Sequence, residues 1–260
     1  MEEIVMPAIK VFIGTEPKTE IARKVLEYSI LKHTDKEVEF TPMMGEDWKI
    51  MPPTGVGTGF SLLRWDIPRR CNYEGAAIYL DADILCLEDI YQLYRADIDY
   101  PNPDASHWMT YQKCKWFDYP TPESSVFLVD CLKAKTNQKT IEEILQDLQT
   151  DKNRQKYVQH MRALSQVYPP QKIPDSFNRL NTLVQDKTRF LHFTKEPEQP
   201  WFNPKHAHAD LWKKYFIECF KETDTITKEE IEQALATFKP HTKKERGTGL
   251  HPYWKFVLSS

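Results

Sequence analysis

Glycine is scarce in this chain, 8 of 260 residues. Neither G-x-G-x-x-G nor G-x-x-x-x-G-K-[ST] occurs, which excludes a Rossmann dinucleotide fingerprint and a P-loop. Long apolar runs are missing too: no stretch approaches the ~18 residues of a membrane span. Met1-Glu2-Glu3 does not open a signal peptide. An excess of either charge is also lacking, since 35 basic residues face 38 acidic ones for a net charge of −3. A nucleic-acid binder that relies on a basic surface is thereby excluded, because neutralising phosphates requires a clear Lys/Arg surplus. Cysteine is present five times, as Cys71, Cys86, Cys114, Cys131 and Cys219, without a C-x-x-C. An odd, scattered set reads as reduced thiols in a cytoplasmic protein, not as a disulfide framework or a zinc site.

What is present supports a sizeable core: 40% of residues are apolar. The length suits one large α/β domain or two small ones. Residues 8–13 form an apolar run of strand length, Pro17 suits a first helical turn, and Ile21, Val25 and Tyr28 recur at helical spacing to about His33. A strand resumes at 38–40, so the chain opens strand, helix, strand, as a parallel sheet does. Three of the eight glycines fall in the loop 52–59, which reads equally as a connector or a binding loop. A short helix is expected over 60–66. Residues 76–80 are apolar throughout and bounded by Gly75, the pattern of a central strand buried on both faces. Further strands are expected at 106–111, 125–129 and 189–193. Helices are expected at 141–148, 157–164, 208–220 and 228–237. The tail from Lys239 carries five basic residues against one acidic, with Tyr253, Trp254 and Phe256.

The informative feature is Asp81-x-Asp83 at the carboxyl end of that buried strand, where ligands of open α/β sheets bind. In strand-like backbone the two carboxylates fall on one side and Ala82 points away. Adjacent carboxylates repel unless a cation lies between them or one takes up a proton. A hard divalent ion, Mg²⁺ or Mn²⁺, meets that demand and keeps open positions for phosphate oxygens. Two acids in a surface turn would be solvated and inert, but Ile78-Tyr79-Leu80 presents these from a core strand.

The segment Ala77-Ile78-Tyr79-Leu80-Asp81-Ala82-Asp83-Ile84-Leu85-Cys86-Leu87-Glu88-Asp89-Ile90 resembles the "YLDADhhhhxDh" segment of GT-A glycosyltransferases, in particular the retaining family 8 group. Residues 11–15 are similar to the first strand and loop of that group, which hold the nucleotide base; this implies roles for Gly14 and Thr15. Arg64, seventeen residues before Asp81, matches the group's basic residue that reaches the donor, and is expected to face ligand or solvent. Leu191-His192-Phe193-Thr194 and Gln199-Pro200-Trp201 resemble the late "HFxGxxKPW" segment, whose His is the third metal ligand and whose Lys grips the diphosphate. The resemblance spans about residues 8–205 and implies a GT-A fold: a single Rossmann-like, mostly parallel mixed sheet flanked by helices. It implies a catalytic domain over 1–205, with 206–260 a helical appendix and basic-aromatic tail packed on it. It further implies a nucleotide-sugar donor, most simply a UDP-sugar, with Asp81, Asp83 and His192 holding Mn²⁺ or Mg²⁺.

The sequence departs from that pattern. The late motif has one extra residue, and Gln199 stands at the Lys; Lys195 and Lys205 are the replacements at hand. Glu123 and Ser125 stand at the Asn and Gly of "FNxGV". Retention requires either a protein nucleophile or attack and departure on one face of the sugar. Glu123, Asp130 and Asp175 are the candidate carboxylates, and sequence does not choose among them. Trp108, Trp116 and Trp201 are candidate sugar platforms or core filler. The tail is either a solvated end or a weak contact with an anionic membrane surface. Two other functions stay open: a carbohydrate- or protein-binding module on a degenerate transferase fold, and a sugar-1-phosphate nucleotidyltransferase. The last normally opens with a glycine-rich loop that Ile13-Gly14-Thr15-Glu16 lacks.

Overall fold

The structure, a computed structural model, describes residues 7–45, 58, 60–113, 119–150, 152, 164, 170–195, 198–203 and 205–237. Outside the described residues lie almost all of the glycine-containing loop, Trp116, the helix expected over 157–164 apart from Leu164, and the basic-aromatic tail.

A six-stranded sheet forms the centre. Its strands are β1 (Ile9–Gly14), β2 (Val38–Met43), β3 (Ala76–Asp81), β5 (His107–Lys113), β6 (Pro120–Asp130) and β7 (Gln171–Lys172), in the order β2-β1-β3-β6-β5-β7. The pairs β1/β2, β1/β3 and β5/β7 are parallel, whereas β6 runs antiparallel to both β3 and β5. Strand β3 is central, as its unbroken apolar run requires. The period-2 alternation sorts its side chains cleanly. Ala77 and Tyr79 join Phe12, Phe127 and Val129 on one face. Ile78 and Leu80 join Ile9, Val11, Ile13, Val126 and Leu128 on the other.

Each face is covered by an apolar stripe. Leu63 and Trp65 of a 3₁₀ turn (Leu63–Asp66) cover the first, with Ile67 of α2 (Ile67–Arg70), Ala134 of α5 (Cys131–Asn137), and Ile141, Ile144 and Leu148 of α6 (Ile141–Thr150). The second is covered by Leu26 and Ile30 of α1 (Glu20–His33) and by residues around α3 (Tyr91–Tyr94) and α4 (Ala96–Asp99). The opposite stripe of α1, through Ile21, Ala22 and Val25, packs with Trp212, Tyr215 and Phe216 of α7 (Ala209–Glu222) and Ile231 of α8 (Lys228–Thr237). Among the described residues, no helix is long and apolar enough to cross a membrane.

A second, three-stranded sheet adds to the single sheet expected from sequence. Its order is β4-β9-β8, from β4 (Ile84–Cys86), β9 (Phe190–His192) and β8 (Arg179–Leu180). Strand β9 falls within the strand expected over 189–193, whereas β4 and β8, of three and two residues, are too short to carry a periodicity of their own.

Candidate functional site

After Asp81 the chain leaves β3 through a turn at Ala82-Asp83 and enters β4. The turn is pinned by the Ala82 N–H, which donates to the Gly14 carbonyl at 3.0 Å. In the small sheet Ile84 lies opposite His192, and the Phe193 N–H donates to the Asp83 carbonyl at 2.9 Å. Strand pairing therefore places a histidine beside the second aspartate. One ligand atom from each of Asp81, Asp83 and His192 lies within 4.8 Å of the others.

The imidazole has a defined orientation. Asn178 is buried, and its Nδ2 donates to Ser125 Oγ at 3.0 Å. Its Oδ1 is thus the atom 3.0 Å from His192 Nδ1, and that nitrogen must carry a proton to donate it. Ser125 Oγ lies 3.3 Å from the same nitrogen. The other nitrogen, Nε2, faces Asp83 Oδ1 at 3.0 Å. Without a second proton or a cation, a lone pair would there face a carboxylate oxygen. Burial lowers the imidazole's pKa most, but the charge and hydrogen bond of Asp83, together with the charges of Asp81 and Glu123, outweigh it and hold the group above its ordinary value. A ring whose far N–H is fixed by a buried acceptor is the usual arrangement behind a metal-bound histidine.

Each aspartate is held as well. Tyr79, two residues before Asp81 on the same face of β3, donates its hydroxyl to Asp81 Oδ1 at 2.5 Å. Gln199 is buried; its Nε2 donates to Asp83 Oδ2 at 2.9 Å and to the Phe193 carbonyl at 2.8 Å. Burial, reinforced by the charge of Asp83 and opposed by Arg64, His192 and the Tyr79 hydroxyl, lifts Asp81 to about 6. Asp83 Oδ1 is buried without a hydrogen-bond donor. Two carboxylates, an imidazole with its free nitrogen turned inward and an orphaned oxygen make a donor set that fits Mn²⁺ or Mg²⁺.

Arg64 differs from the expectation of a ligand- or solvent-facing cation. It is buried, with its guanidinium carbon 4.6 Å from the centroid of the Tyr79 ring. Nη1 donates to the Ser124 carbonyl at 2.6 Å and to Ser124 Oγ at 2.8 Å, and Nη2 lies 3.4 Å from Asp81 Oδ1. The 3₁₀ turn aims it inward across Tyr79, so it supports Asp81 from behind.

The remaining sequence candidates are dispersed. Gly14 is explained by crowding: a Cβ there would stand 2.2 Å from the Tyr79 hydroxyl and 2.5 Å from the Phe60 ring. Thr15 is buried, and its hydroxyl donates to Glu20 Oε1 at 2.8 Å. Lys195 is exposed and lies 3.4 Å from Glu198; Lys205 is exposed. Glu123 Oε1 accepts from the Ser125 N–H at 3.3 Å, and its charge acts on both Arg64 and His192. Asp130 sits at the far end of β6, opposite Ala76, where it accepts from the Lys133 N–H and caps α5. Asp175 opens onto another cleft, lined by none of the three ligand candidates. Trp108 and Trp201 are buried in the core clusters. Ser125 and Gln199 were visible in sequence only as departures from a pattern. Asn178 gave no local signal, because its partners are 53 and 14 residues away.

No protein-family model matches the chain. A curated protein of Arabidopsis thaliana, Protein CDI, is 32% identical over 91 residues, which cover 32% of this chain and 35% of that protein. Among solved structures, the galactosyltransferase LgtC, in complex with donor and acceptor sugar analogs, superimposes with a TM-score of 0.60 at 12% identity. That match covers 87% of this chain and 100% of LgtC. The bifunctional glycosyltransferase WbbM matches with a TM-score of 0.60 at 13% identity, over 86% of this chain and 53% of WbbM. The glycosyltransferase GlyE of Streptococcus pneumoniae TIGR4 gives 0.59 at 12% identity, over 83% of this chain and 63% of GlyE. The chain has the GT-A fold, in a form distant in sequence from these structures.

Proposed function

We propose that this protein is a metal-dependent glycosyltransferase that moves a sugar from a nucleotide diphosphate donor, most simply a UDP-sugar, to a hydroxyl acceptor. The observation that carries the reading is the convergence of Asp81, Asp83 and His192 at the carboxyl end of a GT-A sheet. Those three residues would hold Mn²⁺ or Mg²⁺. When bound, the ion supplies positive charge that offsets the charge building on the leaving diphosphate.

The chain's own residues prepare that site. Tyr79 and Arg64 fix Asp81, Gln199 fixes Asp83, and Asn178 with Ser125 fixes the tautomer of His192. Of the three carboxylates considered for a retaining mechanism, Glu123 is the one whose charge reaches this cluster.

Calorimetry of UDP binding with Mn²⁺ and with EDTA tests the reading. Tighter binding in Mn²⁺ is expected, with most of the gain lost in Asp83→Asn. Equal affinity in both conditions would overturn it. One observation favours a second reading, a carbohydrate- or protein-binding module: Gln199 fills the flank of Asp83, while Lys195 faces Glu198 and solvent. Hydrolysis of a UDP-sugar in Mn²⁺ separates the two, since a binding module would leave the donor intact.

A further inference from the structure

A cleft of about 480 Å³ opens at the end of the small sheet opposite the metal ligands. Asp83 precedes β4 and His192 ends β9, whereas the cleft is lined by Glu88, which follows β4, and Arg189, which precedes β9. Its walls are cross-linked before any ligand arrives. Arg189 donates from Nε to Gln92 Oε1 at 2.5 Å and from Nη1 to Ser176 Oγ at 2.7 Å. Its guanidinium also lies 4.7 Å from the centroid of the Phe177 ring. Backbone bonds from the Arg189 N–H to the Ser176 carbonyl and from the Leu87 N–H to the Arg189 carbonyl complete the frame.

The other charges in the cleft are uncommitted. Among the described residues, the side chains of Arg179, Lys187, Glu88, Asp175 and Asp186 make no hydrogen bond or ion pair. Arg179 lines the cleft with its Nε buried and without an acceptor. An anion alone would fill the fork of Arg179 but meet three carboxylates. A cation alone would meet Arg179 and Lys187. A neutral sugar would lack an aromatic face to stack on, since among the described residues no aromatic side chain lines the cleft. A ligand with both charges satisfies both sets of groups.

We propose that this cleft binds a small zwitterion bearing a carboxylate and an ammonium, an α-amino acid or a short peptide with free termini, whose carboxylate Arg179 grips. The planar guanidinium matches a carboxylate edge to edge, and the ammonium is taken by the surrounding acids. The proposal is independent of sugar transfer, because the cleft shares no residue with the metal site.

The test is calorimetry on the full chain at low ionic strength with glycine, glycylglycine and triglycine, which space the two charges progressively further apart. Acetate and methylammonium serve as singly charged controls. At least one zwitterion is expected to bind about tenfold more tightly than either control, the scale of a charge-assisted pair. Arg179→Gln is expected to remove that advantage. Asp186→Asn, at an exposed position with φ of 56° that asparagine accepts, is expected to weaken it without disturbing the fold. If no zwitterion outbinds acetate, or if both variants bind as the wild type does, the cleft is a solvated groove and the proposal is wrong.

Discussion

Asn178 shows how much of the site depends on a residue that touches no ligand in the proposed reaction. Its amide is fixed at both ends, and so it decides which imidazole nitrogen is left for Asp83 and the metal. Asn178→Ala is expected to lower Mn²⁺ affinity by about 10–100-fold, the usual scale for an outer partner of a ligating histidine. Titration of Mn²⁺ by paramagnetic water relaxation measures it, and unchanged affinity in a folded variant would assign Asn178 to packing alone. Asp81, lifted to about 6, supplies the pH dependence. Without metal the native state keeps a proton that the unfolded chain releases. That contribution is complete below about pH 4 and is lost as pH rises through about 6. Metal binding takes the ionised carboxylate, so it runs the other way. The rise in melting temperature produced by Mn²⁺ is expected to be large at pH 7.5 and small at pH 5. A rise independent of pH would contradict this account.

At the scale of elements, β1 and β3 meet where Gly14 leaves room for the Tyr79 hydroxyl. Gly14→Ala must move either Tyr79 or Phe60, and is expected to cost about 1–3 kcal/mol as overpacking does. It should also loosen Asp81, because the same hydroxyl donates to that carboxylate. Chemical denaturation gives the first effect and Mn²⁺ titration the second. A stable variant with normal metal affinity would mean that the crowding relaxes freely. Strand β3 and helices α1, α6, α7 and α8 were legible in sequence because each carries a continuous apolar run or a 3.6-residue stripe. Of the small sheet only β9 was legible, inside the strand expected over 189–193; β4 and β8 are too short to read and acquire meaning only by pairing. Asp130, a candidate acid in the sequence, instead caps α5, a helix that the sequence reading did not expect.

At the scale of the whole molecule, the C-terminal helices share a core with the site's supporting strands. Trp212 and Phe216 pack in one cluster with Leu85 of β4, Leu191 of β9 and the outer stripe of α1. Trp212→Ala is expected to cost about 3–5 kcal/mol and to lower the single unfolding transition seen by both circular dichroism and tryptophan fluorescence. Two separated transitions would show that residues 206–237 form a unit of their own. The metal-site candidates were legible in two ways at this scale: the DxD pair is local, whereas His192, 111 residues after Asp81, was readable only through the family resemblance, and the fold brings it beside the pair.

Because Asp83 and His192 are fastened to each other by the β4/β9 ladder and its closing Phe193 bond, their spacing does not depend on the length of the loops that adjoin those strands. Loops inserted after Cys86 or before Phe190 would leave the ligand spacing untouched. One residue inserted within either three-residue strand would reverse the side-chain alternation and turn the imidazole away from the aspartates.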